Sequence, residues 1–252
     1  MQLYGEYAWI WELMRDDTMF QEEVDSIVQI AEFQLQRPIQ SMLELGSGGG
    51  YLARCVPDAM EMVLVDMAPD MLQISAQRQP TRQHICADMT SVDLGRVFDV
   101  VLVHDAIMYV DSIESAERLL HNIRKHLADD GVAIIIPDVV SESFMEKALH
   151  TESASEDGLV QLQFTEWHWD RNPEDHKVQV EFSVLIRDHR NRDAQEVQVK
   201  ALHETHDMLV LSFMEWIELF AKAQLQQILP TEHFWCGGGE FFLLTKAYDI
   251  AD

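Results

Sequence analysis

Residues 39–45 form a short, mostly apolar run that stops at Gly46-Ser47-Gly48-Gly49-Gly50. An apolar run of this length, ended by glycines, reads as a buried parallel strand. Such a strand, running into glycines and then a helix, brings backbone N–H groups close to a ligand. Glycine is needed where a Cβ would block that approach or the required backbone angles. The spacing excludes two common ligands. The dinucleotide fingerprint places a glycine where this chain has Tyr51, and no lysine follows the loop as it would in a nucleotide-triphosphate P-loop.

Further apolar runs follow at intervals. Residues 62–65 end at Asp66, residues 84–86 at Asp88, residues 98–103 at His104, and residues 132–136 at Pro137. Helical segments separate most of them. The clearest spans 112–127, where Ile113, Ala116, Leu119, Leu120, Ile123 and Leu127 make an apolar stripe. The first forty residues also look helical, with Thr18 and Gln21 spaced as a capping box and Pro38 ending the element. Strands alternating with helices predict an α/β fold with a doubly wound parallel sheet.

After about residue 140 the period changes from helical to two. Residues 159–170, 178–187 and 197–205 alternate apolar and polar, separated by turn-like stretches. They read as a three-stranded antiparallel insertion after strand five, with one apolar face. A helix capped by Ser212, with Glu215 three residues on, comes next. The chain closes with a strand near 227–229, the triplet Gly237-Gly238-Gly239 and a strand at 241–245. The expected organisation is an N-terminal helical lid (1–38), a main domain from 39–140 and 207–252, and the insertion (141–206).

Charge narrows the partners. The 252 residues hold 44 acidic and 18 basic side chains, a formal charge of -26. Such a surface repels phosphate backbones and anionic membranes, so neither nucleic acid nor membrane is expected as a partner. It tolerates or attracts a small cation, although net acidity also serves solubility alone. Cys55, Cys86 and Cys236 form no C-x-x-C pair, which argues against a zinc site or a disulfide framework. Scattered thiols and the lack of a signal-peptide pattern read as cytoplasmic.

Asp66 lies twenty residues after Gly46, at a strand end, where a carboxylate can accept both hydroxyls of a ribose. Asp88 ends the next strand and could accept from an adenine amino group. Either acid alone would serve equally as a helix cap. In this order after a glycine loop, the two point to a nucleoside.

These motifs resemble those of the class I S-adenosylmethionine-dependent methyltransferases. Glu44-Leu45-Gly46-Ser47-Gly48-Gly49-Gly50 is similar to the family's E/D-x-G-x-G-x-G motif. Val63-Leu64-Val65-Asp66-Met67 looks like its second motif, Ala87-Asp88-Met89 like its adenine-contacting acid, and Phe98-Asp99-Val100-Val101 like a later motif. Gln224 departs from the glycine that often ends the penultimate helix. The resemblance implies a Rossmann-like sheet of seven strands with the last antiparallel. It implies S-adenosyl-L-methionine as cofactor and S-adenosyl-L-homocysteine as product. Tyr7, Glu44, Gly46, Ser47, Gly48, Gly50, Asp66, Met67, Asp88, Met89 and His104 would contact the cofactor. An antiparallel insertion after strand five is similar to small-molecule methyltransferases such as the aminosugar N-methyltransferases and glycine N-methyltransferase relatives, where it forms part of the acceptor pocket.

His104 is the leading catalytic candidate, as a group that orients or deprotonates the acceptor, with Tyr109 beside it. The alternative for His104 is a cofactor contact or a structural role. Trp167 and Trp169 share one face of a strand and could hold a cation, or else pack the insertion onto the main domain. His203 and His206 fall on opposite faces, so no metal site is expected. His206 and Tyr4 are candidate pocket residues. The expected activity is methyl transfer to nitrogen or oxygen of a small molecule, with an amine favoured by the acidity and the tryptophans. The rival is a cofactor-binding regulatory or partner protein without transferase activity. A homodimer is a state the sequence allows.

Overall fold

In the computed structural model, which describes residues 1–190, 198–228 and 240–247, β1 (Ser41–Leu45) lies at the centre of the main sheet. It pairs in parallel with β2 (Glu61–Asp66) on one side and β4 (Phe98–His104) on the other. β3 (Gln83–Cys86) extends the sheet beyond β2, and β5 (Leu127–Ile136) extends it beyond β4. β11 (Phe242–Lys246) runs antiparallel to β5 and to β10 (Leu225–Ile228), giving the order β10-β11-β5-β4-β1-β2-β3. β10 therefore runs with the parallel strands, and β11, last in sequence, is the reversed one, as expected. The Gly237 to Gly239 triplet lies outside the described residues.

The sheet is doubly wound because alternate residues serve opposite cores. Met42, Leu64, Val100, Leu102, Val132 and Ile134 pack beneath Val24, Ile27, Ile30 and Ala31 of α2 (Asp17–Leu35). Leu43, Val63, Val65, Val101, Val103 and Ile135 face the other way, onto α4 (Ile113–His126) and α5 (Phe213–Lys222). α4 starts at Ser112, whose hydroxyl accepts the Ser115 N–H, and it ends in Arg124, Lys125 and His126, which suit the negative end of the helix dipole. α5 has the expected capping box between Ser212 and Glu215. α3 (Pro69–Arg78) follows β2 with proline in its first turn.

Two local expectations are corrected. Asp16, not Thr18, caps α2: its carboxylate accepts the N–H groups of Thr18 and Met19, and Thr18 lies inside the first turn. Ahead of it, a 3-10 turn (Ala8–Ile10) and the short α1 (Trp11–Met14) lead the chain into the helix. No regular helix follows the glycine loop. Residues 51–55 form turns, because Pro57 has no N–H to donate and disfavours helical geometry in the residue before it.

The insertion has four strands rather than three. β6 (Lys147–Ala154), β7 (Val160–Asn172), β8 (Lys177–Asp188) and β9 (Gln198–Leu209) form an antiparallel sheet in sequence order. β6 is an edge strand exposed at nearly every position, so nothing forces an apolar alternation on its sequence. Its neighbours do alternate. Val160, Leu162 and Phe164 of β7, with Val178, Val180, Phe182, Val184 and Ile186 of β8, are buried and join the same hydrophobic core as β4 and β5. The inner face of the insertion thus stands over the carboxyl ends of the parallel strands.

Candidate active site

A cavity of about 790 Å³ opens at the carboxyl ends of β1, β2 and β4, closed over by the N-terminal segment. Gly46 begins its floor at φ +79°, and a Cβ there would lie 2.3 Å from the Ala106 Cβ. Gly50, at φ +68°, packs so tightly on α3 that a Cβ would meet the Ser75 hydroxyl at 2.2 Å. The loop donates mostly to the protein itself. Gly46 and Ser47 N–H donate to Val65 O (2.8 and 3.0 Å), Gly48 N–H to Asp66 Oδ2 (2.7 Å), and Gly50 N–H to Ser47 O (2.9 Å). The glycines therefore provide close approach more than a cradle of free donors.

Asp66 ends β2 and pins this loop. Its Oδ1 accepts the Ala68 N–H at 2.8 Å while Oδ2 holds Gly48. Burial raises its pKa, opposed by those backbone donors. Each carboxylate oxygen has a second lone pair, so both can still accept from a vicinal diol. Asp88 is exposed and accepts the Thr90 N–H and hydroxyl, both at 2.8 Å. Glu44 is buried, and its Oε2 has no hydrogen-bond partner within the described protein. Burial, with a smaller push from the Asp66 charge and an opposing pull from His104, raises its pKa to about 8.

His104 ends β4 with both ring nitrogens facing carboxylates. Nε2 is 3.2 Å from Glu23 Oε2 of α2, and Nδ1 is 3.5 Å from Asp105 Oδ2. Burial opposes the charged ring, but the close contact with Glu23 and the charges of Asp105, Glu23 and Glu44 prevail and hold its pKa at about 9. Asp105 adopts φ +47°, uncommon for a residue other than glycine, which turns its carboxylate back toward His104. Asp138, two residues beyond β5, has its pKa raised by loss of hydration and by the nearby charge of Asp105.

Glu44, Gly46, Ser47, Gly48, Asp66, Met67, Asp88, Met89, His104, Tyr109 and Tyr4 all line the cavity. Gly50 sits behind it against α3. Tyr7 does not reach it: the ring is buried in the core, with the Lys200 ammonium 4.7 Å from its centre. Trp167 and Trp169 are not brought to it either. They lie on the outer face of β7, where Trp167 is 60% exposed and Trp169 stacks on Arg171. The inner face at that point carries Glu166 and His168, hydrogen-bonded to each other at 2.9 Å. His206 points inward with a fully buried side chain, and His203 points outward.

Some residues were invisible to sequence reading. Glu23 sits on a helix far along the chain from His104, and no local pattern announces it. Trp11 and Phe20 line the cavity from the N-terminal segment, where their spacing reads only as helix packing. Glu204 was legible in principle: it lies two residues before His206 on one strand, hence on the same face.

Residues 43–135 match the family model of the methyltransferase domain. The fold is shared over nearly the whole chain with DesVI of Streptomyces venezuelae, at TM-score 0.81, 16% identity, and coverage of 96% of this chain and 97% of that one. It is likewise shared with S-adenosylmethionine-bound CalS10, an amino pentose methyltransferase from Micromonospora echinaspora, at TM-score 0.75, 18% identity, and coverage of 90% and 92%. Residues 43–135 therefore carry a methyltransferase domain, and the chain as a whole shares the fold of these structures. In sequence it is 27% identical over 126 residues to the dTDP-4-amino-2,3,4,6-tetradeoxy-D-glucose N,N-dimethyltransferase of Saccharopolyspora spinosa, a match to 49% of this chain and 50% of that protein. It spans about half the length of the curated relatives it matches.

Proposed function

We propose that this protein transfers a methyl group from S-adenosyl-L-methionine to a nitrogen of a small-molecule amine, with sugar-linked amines as the acceptor class. The observation that carries the reading is the pair of acids in one cavity: Asp66, with lone pairs to spare, and Glu44, buried with an orphaned oxygen. A ribose diol suits the first, and the ammonium of an amino acid suits the second. The cofactor contains both. Its sulfonium would supply an electrophilic methyl group with a good leaving group already built in.

The remaining task of the protein is positioning and the exclusion of water. The acceptor side favours a cation. Asp105 lines it, and the charges of Asp138 and Glu166 act on Tyr109 there. The Saccharopolyspora enzyme and CalS10 are named for amino-sugar acceptors, which agrees with this choice. His104 orients rather than deprotonates. Its ring lies between the Glu23 and Asp105 carboxylates, which keep it protonated, so neither nitrogen offers a lone pair to an incoming ammonium.

The test is S-adenosylhomocysteine release across a panel of nucleotide-linked and free aminosugars, simple amines, hydroxy acids and phenols. Turnover confined to amines is the expected result. Turnover of hydroxyl compounds alone would reassign the acceptor atom. Tight cofactor binding without turnover on any compound would favour a regulatory protein.

A further inference from the structure

Four side chains outside the cofactor contacts form one continuous hydrogen-bonded line. Tyr4 Oη lies 2.6 Å from Tyr109 Oη, and both rings line the cavity. Tyr109 Oη lies 3.3 Å from His206 Nδ1, and His206 Nε2 lies 2.8 Å from Glu204 Oε1. Glu204 Oε2 accepts the backbone N–H groups of Gln2 (2.7 Å) and Leu3 (3.2 Å). The line thus joins the N-terminal segment, the turn after β4 and strand β9. The His206 ring is sealed edge-to-face against Phe182, whose centroid is 4.7 Å away.

The direction of these bonds follows from Glu204. Burial pushes its pKa up, but the His206 hydrogen bond and the two backbone donors outweigh that and hold it below the ordinary range. An ionised Glu204 only accepts, so the proton of neutral His206 sits on Nε2. Nδ1 then has a free lone pair and takes the Tyr109 hydroxyl proton. The Tyr109 oxygen in turn accepts from Tyr4, which leaves the Tyr4 oxygen as an acceptor toward the cavity.

We propose that Tyr4, Tyr109, His206 and Glu204 are a proton relay that takes the proton an amine acceptor must lose before it can be methylated. The proposal rests on the amine reading given above. An acceptor arriving as R–NH3⁺ gives one proton to Tyr4 Oη as Tyr4 passes its own to Tyr109 and Tyr109 passes its own to His206 Nδ1. The result is a neutral R–NH2 with a lone pair, unchanged tyrosines, and an imidazolium paired with the Glu204 carboxylate. The proton returns to water by way of the partly exposed Glu204. The arrangement parallels a nucleophile–histidine–acid triad, with tyrosine at the delivering end. Burial pushes both tyrosines well above their usual range, so neither holds a negative charge, and each can only pass a proton on. His206 and Glu204 are positioning residues here, acting through Tyr109. The charged groups acting on Tyr109 are Asp138 and Glu166. The titratable groups facing His206 are the charged Glu204 and the two neutral tyrosines.

Two measurements test this. In the first, long-range 15N NMR of the protein with S-adenosylhomocysteine should show His206 protonated on Nε2 and bare on Nδ1. A proton on Nδ1 overturns the relay, because Tyr109 would then have nowhere to donate. In the second, kcat and KM of wild type, Glu204→Gln and Glu204→Asp are followed against pH, using the amine that reacts fastest in the panel. Glu204→Gln keeps an oxygen for Gln2 and Leu3, and calorimetry should find its cofactor affinity unchanged. Its kcat should fall about 10- to 100-fold near neutrality with KM nearly constant. The deficit should close at alkaline pH, where the amine arrives already neutral, and Glu204→Asp should recover part of the rate. A deficit equal at every pH, or one confined to KM, overturns the relay. Should no amine react, the amine reading fails on its own account, and the His206 tautomer still decides whether the line can run in this direction.

Discussion

His104 Nε2 lies 3.2 Å from Glu23 Oε2, so the end of β4 is strapped to α2 by a nearly buried charge pair. The pair explains how a histidine stays cationic at a site with so little water. It also makes a stability prediction. The folded pKa of His104 is about 9, above its ordinary 6.5. The stabilisation is therefore complete below the ordinary value and is lost as pH rises through about 9. Glu23→Gln should cost about 2–3 kcal/mol at pH 7, a value held down because the stranded imidazole can shed its proton. Thermal midpoints of the two proteins should converge between pH 8 and 10. The raised pKa of Glu44, about 8, costs stability between its ordinary value and 8 and no more above it, so it does not mask the convergence. A gap that stays constant to pH 10 would contradict the strap.

Gly46→Ala should damage the site, because the Ala106 Cβ that crowds it cannot rotate away as the Ser75 hydroxyl beside Gly50 can. The added carbon meets the Ala106 Cβ at 2.3 Å, and the residue must also hold φ +79°. Strain and overpacking together amount to roughly 2–5 kcal/mol. The urea midpoint should drop, and calorimetry should detect no S-adenosylmethionine binding. Wild-type affinity in this variant would show that the loop can move away from Ala106.

What the sequence made legible and what it hid have separate physical origins. Strands β1, β2, β4 and β5 were readable because parallel strands buried on both faces must be largely apolar, and Asp66 was readable because it ends such a run; β3, at the sheet edge, gave a weaker run, with Asp88 two residues beyond it. The number of insertion strands was misread because β6 is solvated and carries no pattern. The strand–glycine–helix pattern gave no sign of the turns at 51–55, where Pro57 stops a helix from forming. The His104–Glu23 pair, and the line from Tyr4 to Glu204, are meetings of distant segments, which only the fold creates.

Asp66 has two duties that a substitution can separate. Asp66→Asn keeps one oxygen for a backbone donor but replaces the other with an N–H₂ group, which cannot accept from Gly48. Loss of charge-assisted bonds of this kind is worth about 1.5–3 kcal/mol each, so cofactor affinity should weaken at least about tenfold. Isothermal titration with S-adenosylmethionine and with methionine alone checks the assignment. Affinity for methionine should change little, because it has no ribose. An equal loss for both would mean that Asp66 acts only by shaping the loop.

Trp167 tests where the acceptor lies. Period two puts it on the sheet face opposite Glu166 and His168, in register with Ala148 and Glu181, and it is 60% exposed. The acid side chain next to it in sequence, Glu166, is instead turned inward, where its charge acts on Tyr109. Trp167→Ala should therefore leave kcat and KM for the amine acceptor within about twofold of wild type, as for surface substitutions generally. Glu166→Gln removes a carboxylate from the inner face and should raise KM about tenfold, the worth of one charged contact. The reverse ranking, a large KM effect for Trp167 and none for Glu166, would place the acceptor on an aromatic surface and remove the acid-lined crevice from the mechanism.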